Sequence, residues 1–216
     1  MFPSPQFFPE ARLNFAGSIL SDKEPNAVAI LEAQEGSLNA TKITWGMLHM
    51  RVKKIADAMR TSGVVKGDRV AALIANTEQA ITLCLAALSI GAIWSSISPD
   101  FGAQGILDRL VQVKPKLIFT NTSVIYNGKL RDLKPVVIDW ARIVTQEDSL
   151  VNIVSTSCKN GFEAAVTRGL NWDTFLARGI GRELIFEQLP FNQPAFIFYS
   201  SGTVKNPNGR NKDYTY

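Results

Sequence analysis

The residues best suited to chemistry stand together at Ser200-Ser201-Gly202-Thr203, directly after the apolar run Ala195–Tyr199. A strand that opens into hydroxyl-bearing residues and a glycine can grip phosphate. The glycine lets the backbone come close, amide N–H groups point inward, and the hydroxyls donate further hydrogen bonds. The same four residues also make an ordinary turn, and their types alone leave both readings open. Other phosphate fingerprints fail. Gly179-Ile180-Gly181 lacks the third glycine and does not leave a strand, which argues against a dinucleotide site. Gly202 and Gly209 are wrongly spaced for a Walker loop, and no Gly-Lys-Ser/Thr ending follows. The single histidine, His49, lies off the apolar stripe of its helix and reads as a solvated residue, so no Ser-His-Asp triad is expected. Cys84 and Cys158 lie too far apart for metal spacing or a disulfide framework. No catalytic residue and no metal ligand is assigned.

Positioning such a loop requires a scaffold, and the hydrophobic pattern predicts one. Val28–Leu31 reads as a short buried strand, and Thr41–Thr44 can pair back on it. Trp45, Leu48, Val52, Ile55 and Met59 recur at helical spacing, with Thr44 as a cap and Gly63 as a left-handed stop. Strands are expected at Arg69–Ile74, Ala92–Ser96, Leu117–Thr120 and Pro135–Ile138. Helices are expected from a capping box at Asn76–Gln79 to Ile90, and over Ala103–Val113 with Asp100 as its cap. Asn171–Leu176 reads as one short helix. Strands that alternate with helices, and are apolar throughout, indicate an α/β fold with a mostly parallel sheet and flanking helices. The polar stretch Asp139–Gly169 shows no clean period and is expected to be a loop or a poorly specified insertion.

Composition narrows the class. Over 216 residues the formal net charge is +4, and no block of five or more Lys/Arg occurs, so no nucleic-acid or membrane-surface stripe is expected. Ala80–Ile97 carries no charge, but Gly91 divides it into a buried helix and a strand rather than a membrane span. Met1–Pro5 has no basic segment followed by an apolar core, so no signal peptide is expected. With two distant cysteines, the expected compartment is reducing and cytoplasmic.

Tyr199-Ser200-Ser201-Gly202-Thr203 resembles the opening of the loop that marks adenylate-forming (AMP-binding) enzymes, whose pattern continues Thr-Gly-x-Pro-Lys. Leu13–Ala16 and Gly63–Ala71 fit that family's early segments in order. Gly91–Gly102, Tyr126–Lys129 and Phe186–Phe191 resemble its acetoacetate–CoA ligase branch. The resemblance covers about 10–134 and 172–203. It implies that 1–203 is part of the large N-terminal domain of an ATP-dependent acid–CoA ligase, using ATP, Mg²⁺ and coenzyme A on acetoacetate or a similar short acid. It implies that Ser200, Ser201, Gly202 and Thr203 hold the β- and γ-phosphates of ATP, and that Lys129 lies near the coenzyme A phosphates. A solvated lysine is the other reading of Lys129. Trp94 and Asp100 mark the branch, but Trp94 reads as a core residue and Asp100 as a helix cap.

The sequence also departs from that pattern. Val204-Lys205-Asn206-Pro207-Asn208 replaces Thr-Gly-x-Pro-Lys, and 204–216 is expected to be a divergent tail without packed structure. The expectation is a truncated ligase, inactive as this chain. The alternatives are a non-catalytic α/β binding module associating with a full-length partner, or an unrelated nucleotide-binding α/β domain.

Overall fold

The computed structural model describes residues 7–33, 35, 37–147, 151–157 and 161–199. Its elements run β1 (Arg12–Leu13), α1 (Phe15–Leu20), β2 (Val28–Glu32), β3 (Thr41–Thr44), α2 (Trp45–Thr61), β4 (Arg69–Leu73), α3 (Glu78–Ile90), β5 (Ile93–Ile97), α4 (Ala103–Val113) and β6 (Leu117–Thr120). They continue with β7 (Ser123–Tyr126), β8 (Lys129–Asp132), α5 (Lys134–Glu147), β9 (Asn152–Ser155), α6 (Phe162–Ala165), β10 (Gly169–Asn171), α7 (Trp172–Leu176) and β11 (Leu189–Pro190). Five strands form a parallel sheet in the order β10-β9-β6-β4-β5.

Alternation along the central strands supplies one core on each face. Val70, Ala72 and Phe119 face α2 and α3, whereas Ala71, Leu73, Ile118 and Ile153 pack with α4 and α5. A sheet covered on both sides needs apolar residues at successive positions, which is why these strands read as unbroken apolar runs. Local chemistry sets the helix limits. The Thr44 hydroxyl accepts the Met47 N–H at 3.2 Å. Gly91 ends α3 at φ +81°, and a Cβ there would meet the Leu189 side chain at 3.1 Å. Burial pushes the Cys84 thiol in α3 up to about 12.

Five expectations are corrected. Pro135–Ile138 is not a strand but the first turn of α5. Proline is tolerated there, and Val137, Trp140, Ala141 and Val144 form a buried stripe at helical spacing. Within Asp139–Gly169, expected as a loop, Asp139–Glu147 belongs to α5, and β9 is a sheet strand paired with β6. Asp100 does not cap α4; Gly102 does, and Asp100 instead accepts from Ser98 Oγ at 3.2 Å. Asn76 does not cap α3. Thr77 stands there without a side-chain bond, and Glu32 from β2 accepts the Glu78 N–H at 2.9 Å. Finally, β2 is an outer ribbon strand in which Val28 and Leu31 are exposed. No described helix is long and apolar enough to cross a membrane.

Candidate functional site

Parallel pairing places the carboxyl ends of β4, β5, β6 and β9 on one edge, outside which sheets of this class bind ligands. Side chains lock that edge. Asn121 Oδ1, just past β6, accepts the Ala75 N–H at 2.8 Å, and its Nδ2 donates to Thr156 Oγ1 at 2.8 Å. The Thr122 N–H donates to Ser157 Oγ at 2.8 Å. A cleft of about 530 Å³ opens alongside, lined by residues that include Arg51, Glu78, Asn121 and Trp172. Within it Arg51 Nη1 lies 2.8 Å from Glu78 Oε1.

Next to β5 runs the segment that leads into the candidate phosphate loop. Among the described residues it is held by few bonds. The Trp94 N–H donates to Ala195 O at 2.9 Å, and the Ile197 N–H returns to Trp94 O at 2.9 Å. The buried Ser95 hydroxyl donates to Ile197 O at 3.0 Å. Trp94 and Phe196 thus form a single parallel bridge, and the expected strand Ala195–Tyr199 is an extended segment beside the sheet. Phe196 stacks on Phe198, and Phe15 meets Phe196 edge-on.

At the end of this segment the Tyr199 hydroxyl donates to Arg109 O at 3.2 Å. The Arg109 guanidinium, on a residue only 7% exposed, lies 4.0 Å from the Phe101 ring centre and 5.0 Å from that of Tyr199. Its Nη1 donates to Gly105 O at 2.8 Å. Burial raises the Tyr199 phenol above its ordinary range, and the Arg109 charge works against that rise. Phe101 belongs to the Ser98–Phe101 turn after β5, whose Asp100 Oδ1 lies 3.4 Å from Arg131 Nη1. Arg131 sits on β8, so the β7–β8 hairpin reaches the same edge.

Ser200, Ser201, Gly202 and Thr203, the candidate phosphate ligands, lie outside the described residues, as do 204–216. Tyr199, the described residue preceding them, is brought to the Arg109–Phe101 cluster. Lys129 begins β8 after the Asn127-Gly128 turn, is exposed, and makes no ion pair among the described residues. Trp94 is buried, and His49 is exposed. The described residues contain no cluster of three or more His, Cys, Asp or Glu able to hold a metal. No Mg²⁺ ligand is assigned among them, and no step is assigned to that ion.

The sequence reading missed Ser95, Arg109, Asn14 and Asp57. Asn14 Oδ1 caps α1 through the Gly17 N–H at 3.1 Å, and its Nδ2 donates to Leu88 O and Glu187 O, each at 2.9 Å. Asp57, 5% exposed, accepts the Gly181 N–H at 2.7 Å and lies 3.2 Å from Arg182 Nη1. Both fasten the segment after α7 to the helical layer. A carboxylate beside the apolar stripe of α2 was the available signal for Asp57.

The family model described as AMP-binding enzyme matches residues 21–209. The chain belongs to this family. Within the AMP-binding enzymes it is 44% identical over 213 residues to acetoacetyl-CoA synthetase of Rattus norvegicus, covering 94% of this chain and 31% of that protein. It is 38% identical over 220 residues to malonamoyl-CoA synthetase of Penicillium aethiopicum, covering 96% and 30%. The solved structure of acetoacetyl-CoA synthetase from Streptomyces lividans superposes with a TM-score of 0.82 at 32% identity, covering 93% of this chain and 30% of that one. The chain therefore spans about a third of the length of the relatives it matches.

Proposed function

We propose that this chain supplies the amino-terminal part of the adenylating domain of an ATP-dependent acid–CoA ligase, with acetoacetate as the acid. In that reaction the carboxylate attacks the α-phosphorus of ATP and expels pyrophosphate, giving an acyl adenylate. The coenzyme A thiol then attacks the acyl carbon and expels AMP. The chain contributes Ser200, Ser201, Gly202 and Thr203 as donors to the β- and γ-phosphates, and Lys129 toward the coenzyme A phosphates. Amide and hydroxyl donors fixed in advance stabilise charge without reorganising during the reaction. We also place the protein in the cytoplasm.

The observation that carries this reading is the superposition on a solved acetoacetyl-CoA synthetase across 93% of the chain at 32% identity. The malonamoyl-CoA synthetase match shows that related sequence occurs in an enzyme named for another acid. The choice of acetoacetate rests on the Gly91–Gly102 motif.

The 216-residue polypeptide alone is expected to be inactive, because Val204–Asn208 replaces the second half of the family loop. The test is acetoacetate-dependent release of pyrophosphate with ATP and Mg²⁺, followed by thioester formation. None is expected from the 216 residues. Turnover is expected when residues 1–203 replace the matching part of an acetoacetyl-CoA synthetase. A folded but inactive joined enzyme would refute the functional reading, and turnover by the chain alone would refute its inactivity.

A further inference from the structure

We propose that Arg109 is a positioning residue for the candidate phosphate loop: its guanidinium, held between Phe101 and Tyr199, fixes Tyr199, the described residue that precedes Ser200 in sequence. The proposal deepens the functional reading, and its link to phosphate rests on that reading.

The segment before the loop has little ladder to hold it. Beyond the bridge at Trp94 and the Ser95 hydroxyl bond, its forward end is fixed through Tyr199. The attachments fall on alternate residues, Ala195, Ile197 and Tyr199, the spacing at which an extended chain presents one side. At the last of them a planar cation meets two rings, at 4.0 Å and 5.0 Å. A guanidinium suits this place because it is flat, permanently charged and weakly hydrated; an ammonium group is a compact, strongly hydrated charge. The Gly105 carbonyl fixes the guanidinium at 2.8 Å, and a Cβ on Gly105 would stand 3.3 Å from Nη1. Phe101 lies in the turn after β5, so one side chain joins that turn to the loop entry. A slip of the loop by about an ångström would misalign donors that act only at hydrogen-bond distance.

A clamp and a mere charged neighbour predict opposite changes at Tyr199. Its phenol is raised chiefly by burial and lowered by Arg109. If Arg109 only lends charge, Arg109→Gln leaves the ring packed and raises the phenol further. If Arg109 clamps the ring, the same change releases Tyr199 to water, and its titration falls back toward the ordinary value near 10.

The experiment is carbon-detected NMR of the 216-residue chain labelled at the tyrosine ζ carbons, with Tyr199 assigned by Tyr199→Phe. The Val70 and Ile118 amides report that the sheet is intact. A fall in the Tyr199 midpoint is expected for Arg109→Gln, for Arg109→Lys, which keeps the charge, and for Phe101→Leu, which leaves the charge untouched at a half-exposed ring. A rise in Arg109→Gln, or a wild-type midpoint in Arg109→Lys and Phe101→Leu, overturns the clamp. Inorganic pyrophosphate is then titrated against the Gly202 amide. A saturable shift in the wild type, weakened at least tenfold in Phe101→Leu, is expected. Absence of any shift in the wild type counts against the phosphate-loop reading, while the Tyr199 midpoints still decide the clamp.

Discussion

The two sides of β4 are held in different ways. On one side β6 pairs with both β4 and β9 through continuous parallel ladders, and Leu117, Ile118, Phe119 and Thr120 are all buried. On the other side β5 pairs fully with β4, but meets 195–199 through one bridge and the Ser95 hydroxyl, while Arg109 of α4 holds Tyr199 through its backbone carbonyl and its guanidinium. The first side is a core that backbone and apolar packing complete. The second is an edge that particular side chains must hold, and it carries the path into the candidate phosphate loop. Stability is concentrated in the first region and positional control in the second, so mutations should separate the two.

Phe119→Ala should be the most damaging to stability. Phe119 is fully buried and meets Phe175 edge-on at 5.2 Å, so its loss should cost about 3–5 kcal/mol by chemical denaturation. A loss below about 1 kcal/mol would remove the contrast from the core side. Asp57→Ala should come next, at about 2 kcal/mol, because it leaves the Gly181 N–H without its acceptor and removes the ion pair to Arg182, which keeps its bond to Thr61 Oγ1. Amide exchange should quicken at Gly181 and Arg182 while β6 stays protected; equal loosening of both would show that the segment and the core are one unit.

Ser95→Ala should cost under about 1 kcal/mol, since it removes one neutral hydrogen bond. Its effect on exchange at Phe196–Phe198 should nevertheless exceed that of Asp57→Ala. Unchanged exchange there would mean that the Ser95 hydroxyl does not hold the segment. Lys129→Met, at an exposed hairpin position, should alter stability by no more than about 0.5 kcal/mol. In the joined enzyme it should raise KM for coenzyme A while leaving KM for ATP unchanged; an unchanged KM for coenzyme A would leave Lys129 a solvated residue.

What the sequence revealed follows the same division. Arg69–Leu73, Ile93–Ile97 and Leu117–Thr120 were readable because strands covered on both faces must be apolar throughout, and Gly91 and Pro115 mark nearby breaks. Lys134–Glu147 was misread because Val136-Val137-Ile138 after Pro135 is β-like locally, and only packing against α4 and β6 selects the helical stripe. Asn152–Ser155 has only Ile153 and Val154 between polar ends, so it lacks the unbroken apolar run that marked Leu117–Thr120. At the site, the residue types of Ser200–Thr203 left a turn and a phosphate loop both open, and these residues lie outside those the structure describes. Ser95 and Arg109 did not announce themselves, because their partners lie 102 and 90 residues away and only the fold brings them together. The Asn127-Gly128 pair after Val124-Ile125-Tyr126 was a usable turn signal for the hairpin that went unread.

The most direct test of the central claim, that this edge delivers a phosphate-gripping loop, is acetoacetate-dependent exchange of labelled pyrophosphate into ATP. It is measured on residues 1–203 joined to the remaining part of an acetoacetyl-CoA synthetase, with and without Gly202→Val. A side chain at Gly202 should block the approach of backbone to phosphate, and loss of such donors typically costs ~10²-fold or more in rate. The account predicts exchange in the joined enzyme and a fall of at least that size in the variant. Exchange of equal rate in Gly202→Val, with the fold intact, would contradict it.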